Sequence, residues 1–149
     1  MFRPIAQEDR QTLIDLMNEF YHSPAVLHPV PEDNFYKTAD LILAGTPYAD
    51  AYLFEVDGQI AGYALTAKTY SNEAGGLVLW LEEVYIRPTF QGRGIGGRFL
   101  QFLSEEYPEE VARLRLEVAE GNDGATRLYR RAGYQDFEYH QMIRDLSGK

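Results

Sequence analysis

The sequence predicts an α/β (α+β) fold, with a mixed, mostly antiparallel sheet of six to seven strands flanked by about four helices. Three observations carry this prediction. Asp57-Gly58 joins two apolar runs and reads as a hairpin turn. The stretch Gln91 to Gly97 is rich in glycine, opens an apolar-periodic helix and is followed by an alternating strand, which together make one β-α-β unit. Short strand-like runs stand at both ends of the chain.

Taken in order, Phe2 to Ile5 reads as a short first strand. Leu13, Leu16, Met17 and Phe20 repeat at i, i+3, i+4 and i+7, so a first helix begins near residue 7. A proline-studded loop, YHSPAVLHPVPED, leads to a second helix over roughly 32 to 44, which stops at Gly45 and Pro47. AYLFEV, IAGYALTA and LVLWLEEVYI are three consecutive strands, most simply a meander, and Pro88 closes the third. The helix after the glycines places Ile95, Phe99, Phe102 and Leu103 on one face. ARLRLEV alternates Leu114, Leu116 and Val118 and is the next strand. Asn122 caps a last helix that carries Ala125, Leu128, Tyr129 and Ala132 on one face and stops at Gly133. Two short strands around Phe137 to Ile143 complete the expected fold, a single domain over residues 1–149.

Composition narrows the function. The chain has no cysteine and only three histidines, so no metal site is expected. Its net charge of −9 argues against nucleic acid or an anionic membrane as partner and is compatible with a cationic substrate. No apolar run reaches the ~18 to 20 residues that span a bilayer, the N-terminus lacks a signal-peptide pattern, and a cytoplasmic protein is expected. The charge is uneven. From Val84 to Ser104 there is no acid, but there are three arginines, Arg87, Arg93 and Arg98. An acid-free, glycine-rich helix start is suited to an anion.

The glycine stretch contains two overlapping patterns. Gly92, Gly94 and Gly97 make G-x-G-x-x-G, the dinucleotide fingerprint, and Glu117 follows at the spacing of a ribose-binding acid. That fold needs several β-α-β units, and the sequence supplies one. Gln91, Gly94 and Gly96 make Q-x-x-G-x-G, in which successive backbone N–H groups at a helix start surround a pyrophosphate.

Three stretches together resemble the GNAT superfamily of acyl-CoA-dependent N-acetyltransferases. They are Gln91-Gly92-Arg93-Gly94-Ile95-Gly96, the helix with Asn122, Ala125 and Tyr129, and the ending Arg131-Ala132-Gly133-Tyr134. LEEVYI and VAEGNDGATRLYRRAGY look most like the diamine (polyamine) acetyltransferase branch. The resemblance implies a GNAT fold whose parallel strands splay apart where acetyl-CoA binds. It implies that the backbone of Val84, Tyr85 and Ile86 holds the pantetheine arm. It places the pyrophosphate at Gln91, Gly92, Arg93, Gly94, Ile95, Gly96 and Gly97. It further implies that Asn122, Ala125 and Tyr129 border the cofactor and that Tyr129 protonates the leaving thiolate.

Acetyl transfer to an amine also needs a base, because a free alkyl ammonium is mostly protonated at neutral pH. Glu82 and Glu83 are adjacent carboxylates at a strand end, and alternation sends them to opposite faces. The resemblance puts the base at Glu82. Which of the two faces the cleft is left open, since a bulge would invert the faces. The acceptor, a primary amine on a small molecule, is expected beside the loops that hold Tyr21, His22, His28, Ser71 and Glu73. Glu73, Glu82 and Glu83 favour a cationic acceptor if they converge. A homodimer is expected from the resemblance. Two other readings stand beside this one: a CoA-binding module without turnover, and an NAD-dependent enzyme.

Overall fold

The computed structural model describes residues 1–107 and 109–147. Its elements are β1 (Phe2–Pro4), α1 (Arg10–Tyr21), α2 (Asp33–Leu43), β2 (Ala49–Val56), β3 (Gln59–Ser71), β4 (Gly76–Ile86), α3 (Ile95–Glu106), β5 (Val111–Leu116) and α4 (Asp123–Arg131). Short 3-10 turns over Gln7–Asp9 and Pro88–Phe90 lead into α1 and into the glycine loop.

The strands form one sheet in the order β1-β2-β3-β4-β5. The first four pair antiparallel, and β4 pairs parallel with β5. Asp57 and Gly58 turn the β2–β3 hairpin with φ of 51° and 75°, the left-handed pair that a tight two-residue turn requires. Alternation along β2 fills two cores. Ala51 and Leu53 pack against Leu13, Leu16 and Met17 of α1 and Phe35 of α2. Tyr52 and Phe54 pack on the other face against Ile95, Phe99 and Leu103 of α3. Burying an aromatic or large aliphatic side chain of this kind stabilises by about 1.5–3 kcal/mol, and Phe54, Phe99 and Leu13 are each 0 % exposed.

β4 does not alternate throughout. Leu81 pairs with Thr66 and Glu83 pairs with Leu65, so Glu82 is an extra residue, a β-bulge. Before the bulge the odd-numbered Leu79 and Leu81 face α3. After it the even-numbered Val84 and Ile86 face α3, and Tyr85 faces α1. Simple alternation of Glu82 and Glu83 is therefore replaced by a change of parity between them.

The sheet has five strands among the described residues, not six to seven. The segment expected to form two strands, Phe137 to Ile143, has no regular structure. Period-2 patterning marks a segment able to form a strand, but a ladder partner decides whether it does. Here the chain crosses β5 by side chains alone. The Phe137 ring lies 5.0 Å from the Arg113 guanidinium and 4.8 Å from that of Arg115. Arg115 also covers Trp80 at 4.2 Å. Tyr139, Met142 and Ile143 stay exposed. The strand expected to reach Val118 ends at Leu116.

Candidate active site

β4 and β5 pair from Leu77↔Val111 to Leu81↔Leu116 and no further. β4 runs on through Glu82–Ile86 while β5 ends, so a fork opens at Glu82 and leaves one edge of Val84, Tyr85 and Ile86 without a strand partner. The side chains of Val84 and Ile86 pack toward α3, while the Tyr85 hydroxyl donates to Glu19 at 3.3 Å on the opposite face.

The glycine loop closes one end of the fork. Gly92 and Gly94 both have φ of 76°, and Gly94 is the N-cap of α3. Among the described residues no side chain caps this helix, and its first turn holds no acid, so the N–H groups there lack side-chain partners among them. Gln91 is tied to the strand end, with Nε2 donating to the Ile86 carbonyl at 3.0 Å. Arg93 lies over Phe90 and donates to the Thr89 carbonyl, and Arg98 donates to the Arg93 carbonyl. Neither guanidinium pairs with a carboxylate among the described residues. A Cβ on Gly96 would meet Leu128 Cδ2 at 3.3 Å, so its bareness lets α4 approach α3 closely. Ile95, beside it, is buried in the sheet core.

α4 supplies the next side chains. Asn122 caps it, with Oδ1 accepting from the Ala125 N–H at 3.3 Å. Tyr129 packs into the α3-side core, 6.0 Å from the Tyr134 ring, and burial raises its phenol above the ordinary value. Tyr129 also lines a cavity of about 600 Å³ between β5, α4 and the chain that follows.

The two carboxylates at the fork have separate environments. Glu82 is open to solvent, yet burial by its surroundings, then the charges of Glu117 and Glu83, raise it above an ordinary glutamate. Glu83 turns to the α1/α2 side. Tyr63 donates to its Oε1 at 2.7 Å and Tyr21 to its Oε2 at 2.5 Å. Burial raises Glu83, and the two phenol hydrogen bonds pull it back down.

The structure thus brings Tyr21, Glu82 and Glu83 together. It does not bring Ser71 and Glu73 to them. Both lie at the β3–β4 turn, and Gly76 to Glu82 alone spans about 20 Å of strand at ~3.3 Å per residue. Ser71 Oγ accepts the Ala74 N–H within that turn. Glu73 is bound by Arg113 at 2.9 Å and by the Tyr139 hydroxyl at 2.6 Å, and both contacts lower its carboxyl. His22 ends α1, exposed, with Nδ1 2.8 Å from the Asn18 carbonyl, and His28 is exposed in the following loop.

Two site residues escaped the sequence reading. Tyr63 reads as an ordinary core residue of IAGYALTA, because its partner is 20 positions away. Glu117 reads as a ribose acid for a dinucleotide, yet it follows the last β4–β5 pair and so stands beside Glu82. The signal for it in the sequence is the alternation of Arg113, Arg115 and Glu117, which carries one residue past the end of β5.

The forked parallel pair ends at a glycine helix start, and only one β-α-β unit is found among the described residues, fewer than a doubly wound dinucleotide fold needs. The Acetyltransferase (GNAT) family model matches residues 10–134, and the chain belongs to that family. A thialysine N-epsilon-acetyltransferase of Bos taurus is 31% identical over 101 residues, 60% of this chain and 59% of that protein. The spermine/spermidine N(1)-acetyltransferase of Bacillus subtilis (strain 168) is 23% identical over 143 residues, 89% of this chain and 86% of that protein. The solved structure of AAC(6')-Iy in complex with a bisubstrate analog, CoA-S-monomethyl-acetylneamine, has the same fold. It superposes with a TM-score of 0.80 at 15% identity, over 97% of each chain. The match to the first curated relatives spans 58–59% of their length.

Proposed function

We propose that this chain moves an acetyl group from acetyl-CoA to a primary amine of a small, cationic acceptor by direct attack. The observation that carries the reading is the fork. An acid-free, uncapped helix start with two arginines free of carboxylate partners stands at one end, and a carboxylate with raised proton affinity stands at its opening. Both features fit acetyl-CoA on the physical grounds of anion binding and of proton removal. The amine acceptors named for the thialysine and spermine/spermidine relatives support the acceptor class.

In this reading Gln91 to Gly97 and Arg93 hold the pyrophosphate, the free edge of Val84 to Ile86 holds the arm, and Asn122 and Ala125 border it. Bound acetyl-CoA supplies an activated acyl group. Glu82 takes a proton from the acceptor ammonium, which frees the nitrogen lone pair for attack. Tyr129, kept protonated by its raised phenol, gives a proton to the departing sulfur. The carbon–nitrogen bond forms as the carbon–sulfur bond breaks; the nitrogen loses a second proton on becoming the amide, which restores the one Tyr129 gives to sulfur, and the proton held by Glu82 passes to solvent. Glu82, Glu83 and Glu117 make the opening anionic, which favours a cationic acceptor. Tyr21, at the end of α1, stands on that side of the opening with His22 next to it, His28 lies in the loop that follows, and Ser71 and Glu73 take no part in this reading.

Thiol release with acetyl-CoA and a panel of polyamines, thialysine, aminoglycosides and amino acids tests the reading. Turnover of a cationic amine is expected. Binding of CoA without turnover of any amine would replace it with a binding module, and thermal stabilisation by NAD(H) alone would overturn it.

A homodimer and a cytoplasmic location belong to the same proposal. The exposed Tyr139, Met142, Ile143 and Leu146 and the outer edge of β5, which no strand pairs with among the described residues, support association. Light scattering at micromolar concentration checks it. No helix among the described residues is long and apolar enough to cross a membrane.

A further inference from the structure

The bulge gives neighbouring carboxylates different partners. Tyr63 is 0 % exposed, and its ring is fixed edge-on to Phe20 at 6.2 Å and beside Tyr85 at 6.4 Å. Tyr21 ends α1 and packs on Phe20 at 5.1 Å and on Phe35 of α2 at 5.3 Å. Each phenol reaches from a packed element to a different oxygen of Glu83. Glu82, one residue earlier, accepts no hydrogen bond from a described side chain and lies open at the fork.

We propose that Tyr63 and Tyr21 are positioning residues that hold Glu83 against the α1/α2 layer, so that Glu82 alone is presented at the fork as proton acceptor. The proposal rests on the acetyl-transfer reading. Two adjacent carboxylates without distinct partners titrate as one coupled system, and neither is a defined base. Two donated hydrogen bonds favour the charged form of Glu83 and oppose the burial that would neutralise it. The groups facing Glu83 are Tyr21 from α1, Tyr63 from β3 and Glu82 from its own strand. Tyr85 and Glu19 stand beyond Tyr63 and Phe20, α2 contributes the ring of Phe35, and Glu117 faces Glu82. A Glu83 held as an anion adds its charge to that of Glu117 and strengthens Glu82 as a base.

The test compares wild type, Tyr63→Phe, Tyr21→Phe, Glu83→Gln and the two doubles with Glu83→Gln. Side-chain carboxyl carbons are titrated by NMR, and steady-state kinetics are measured with acetyl-CoA and the best amine of the panel. Tyr63→Phe and Tyr21→Phe are each expected to raise the Glu83 midpoint. Each is expected to lower kcat about 3- to 10-fold, a fraction of the ~100-fold or more that a positioned base contributes, with KM for acetyl-CoA unchanged. In the Glu83→Gln background the same substitutions are expected to change kcat less than about twofold, since residues acting through one group are not additive. An unmoved Glu83 midpoint, or a full additional loss in that background, would overturn the proposal. If wild type acetylates no amine, the acetyl-transfer reading fails on its own, and the titration still decides whether the phenols hold Glu83. If Tyr63→Phe does not fold, Tyr21→Phe at the end of α1 carries the same comparison.

Discussion

Leu81 and Glu83, two positions apart on β4, pair with adjacent residues of β3, Thr66 and Leu65. Glu82 between them has no β3 partner and lies at the end of the β4–β5 ladder, beside Glu117. Desolvation and the two neighbouring charges raise its proton affinity. A base is active only when unprotonated, so kcat should fall as pH falls through this raised value. The acidic limb is expected above the ~4.3 of an ordinary glutamate. Glu82→Gln should abolish that limb and lower kcat by about 100-fold or more. A pH–rate profile of both proteins checks this, and a wild-type limb unchanged in Glu82→Gln would remove Glu82 as the base.

Stability should respond to the same carboxylates with a definite sign. Glu82 and Glu83 are raised in the folded state, so their contribution is fully present below the ordinary glutamate value and is lost as pH rises through the folded one. Asp9 has the opposite sign. It is buried, binds Arg3 at 2.7 and 3.1 Å and accepts the Ala6 N–H at 2.7 Å, and its carboxyl is held down chiefly by Arg3. Its contribution is present above the ordinary aspartate value and is lost as pH falls through the lowered one. Asp9→Asn is therefore expected to cost about 1–3 kcal/mol at pH 7, the range for a hydrogen-bonded charge, and less near pH 3. Chemical denaturation at both pH values measures the difference.

Much of this fold can be read locally. The Asp57-Gly58 turn, the apolar face of α1 and the Asn122 cap are decided within a few residues, so propensity and periodicity suffice. The glycine loop is legible for the same reason, because its left-handed residues and helix start are contiguous. The bulge is not, since LWLEEVYI is an apolar run around two adjacent glutamates with no turn residue to mark a break, and only the pairing with β3 shows the extra residue. The partners of Glu73 are not legible in the sequence either, because Arg113 and Tyr139, which hold it, are 40 and 66 positions away. Phe137 to Ile143 reads as two short strands, but among the described residues no strand pairs with it.

The loop glycines have separable roles. Gly94 has φ of 76° at the N-cap of α3, where a Cβ meets no neighbour within 4 Å but is strained by its own backbone. Gly94→Ala should cost about 1–2 kcal/mol of stability and weaken CoA binding. Gly96 has ordinary dihedrals and a crowded neighbour, Leu128. Gly96→Ala displaces a flexible side-chain end and should be mild, whereas Gly96→Val should separate α3 from α4. Calorimetric titration with CoA beside thermal unfolding distinguishes the two positions: strain at Gly94, packing at Gly96.

Tyr129 tests the other half of the proton path. Its ring is held by the α3-side core, so Tyr129→Phe keeps the packing and removes only the hydroxyl. Burial raises the phenol, which keeps it protonated across the neutral range and suits a donor to a departing thiolate. The substitution should therefore lower kcat at least ~10-fold, leave KM for acetyl-CoA within about twofold and shift Tm little. Tyr134, its neighbour, has a buried hydroxyl with no partner among the described residues, so Tyr134→Phe should hold or raise Tm. Equal losses of kcat in the two variants would make Tyr129 a packing residue. A loss confined to Tyr129→Phe, with Tyr134→Phe active and stable, assigns the proton to the Tyr129 hydroxyl.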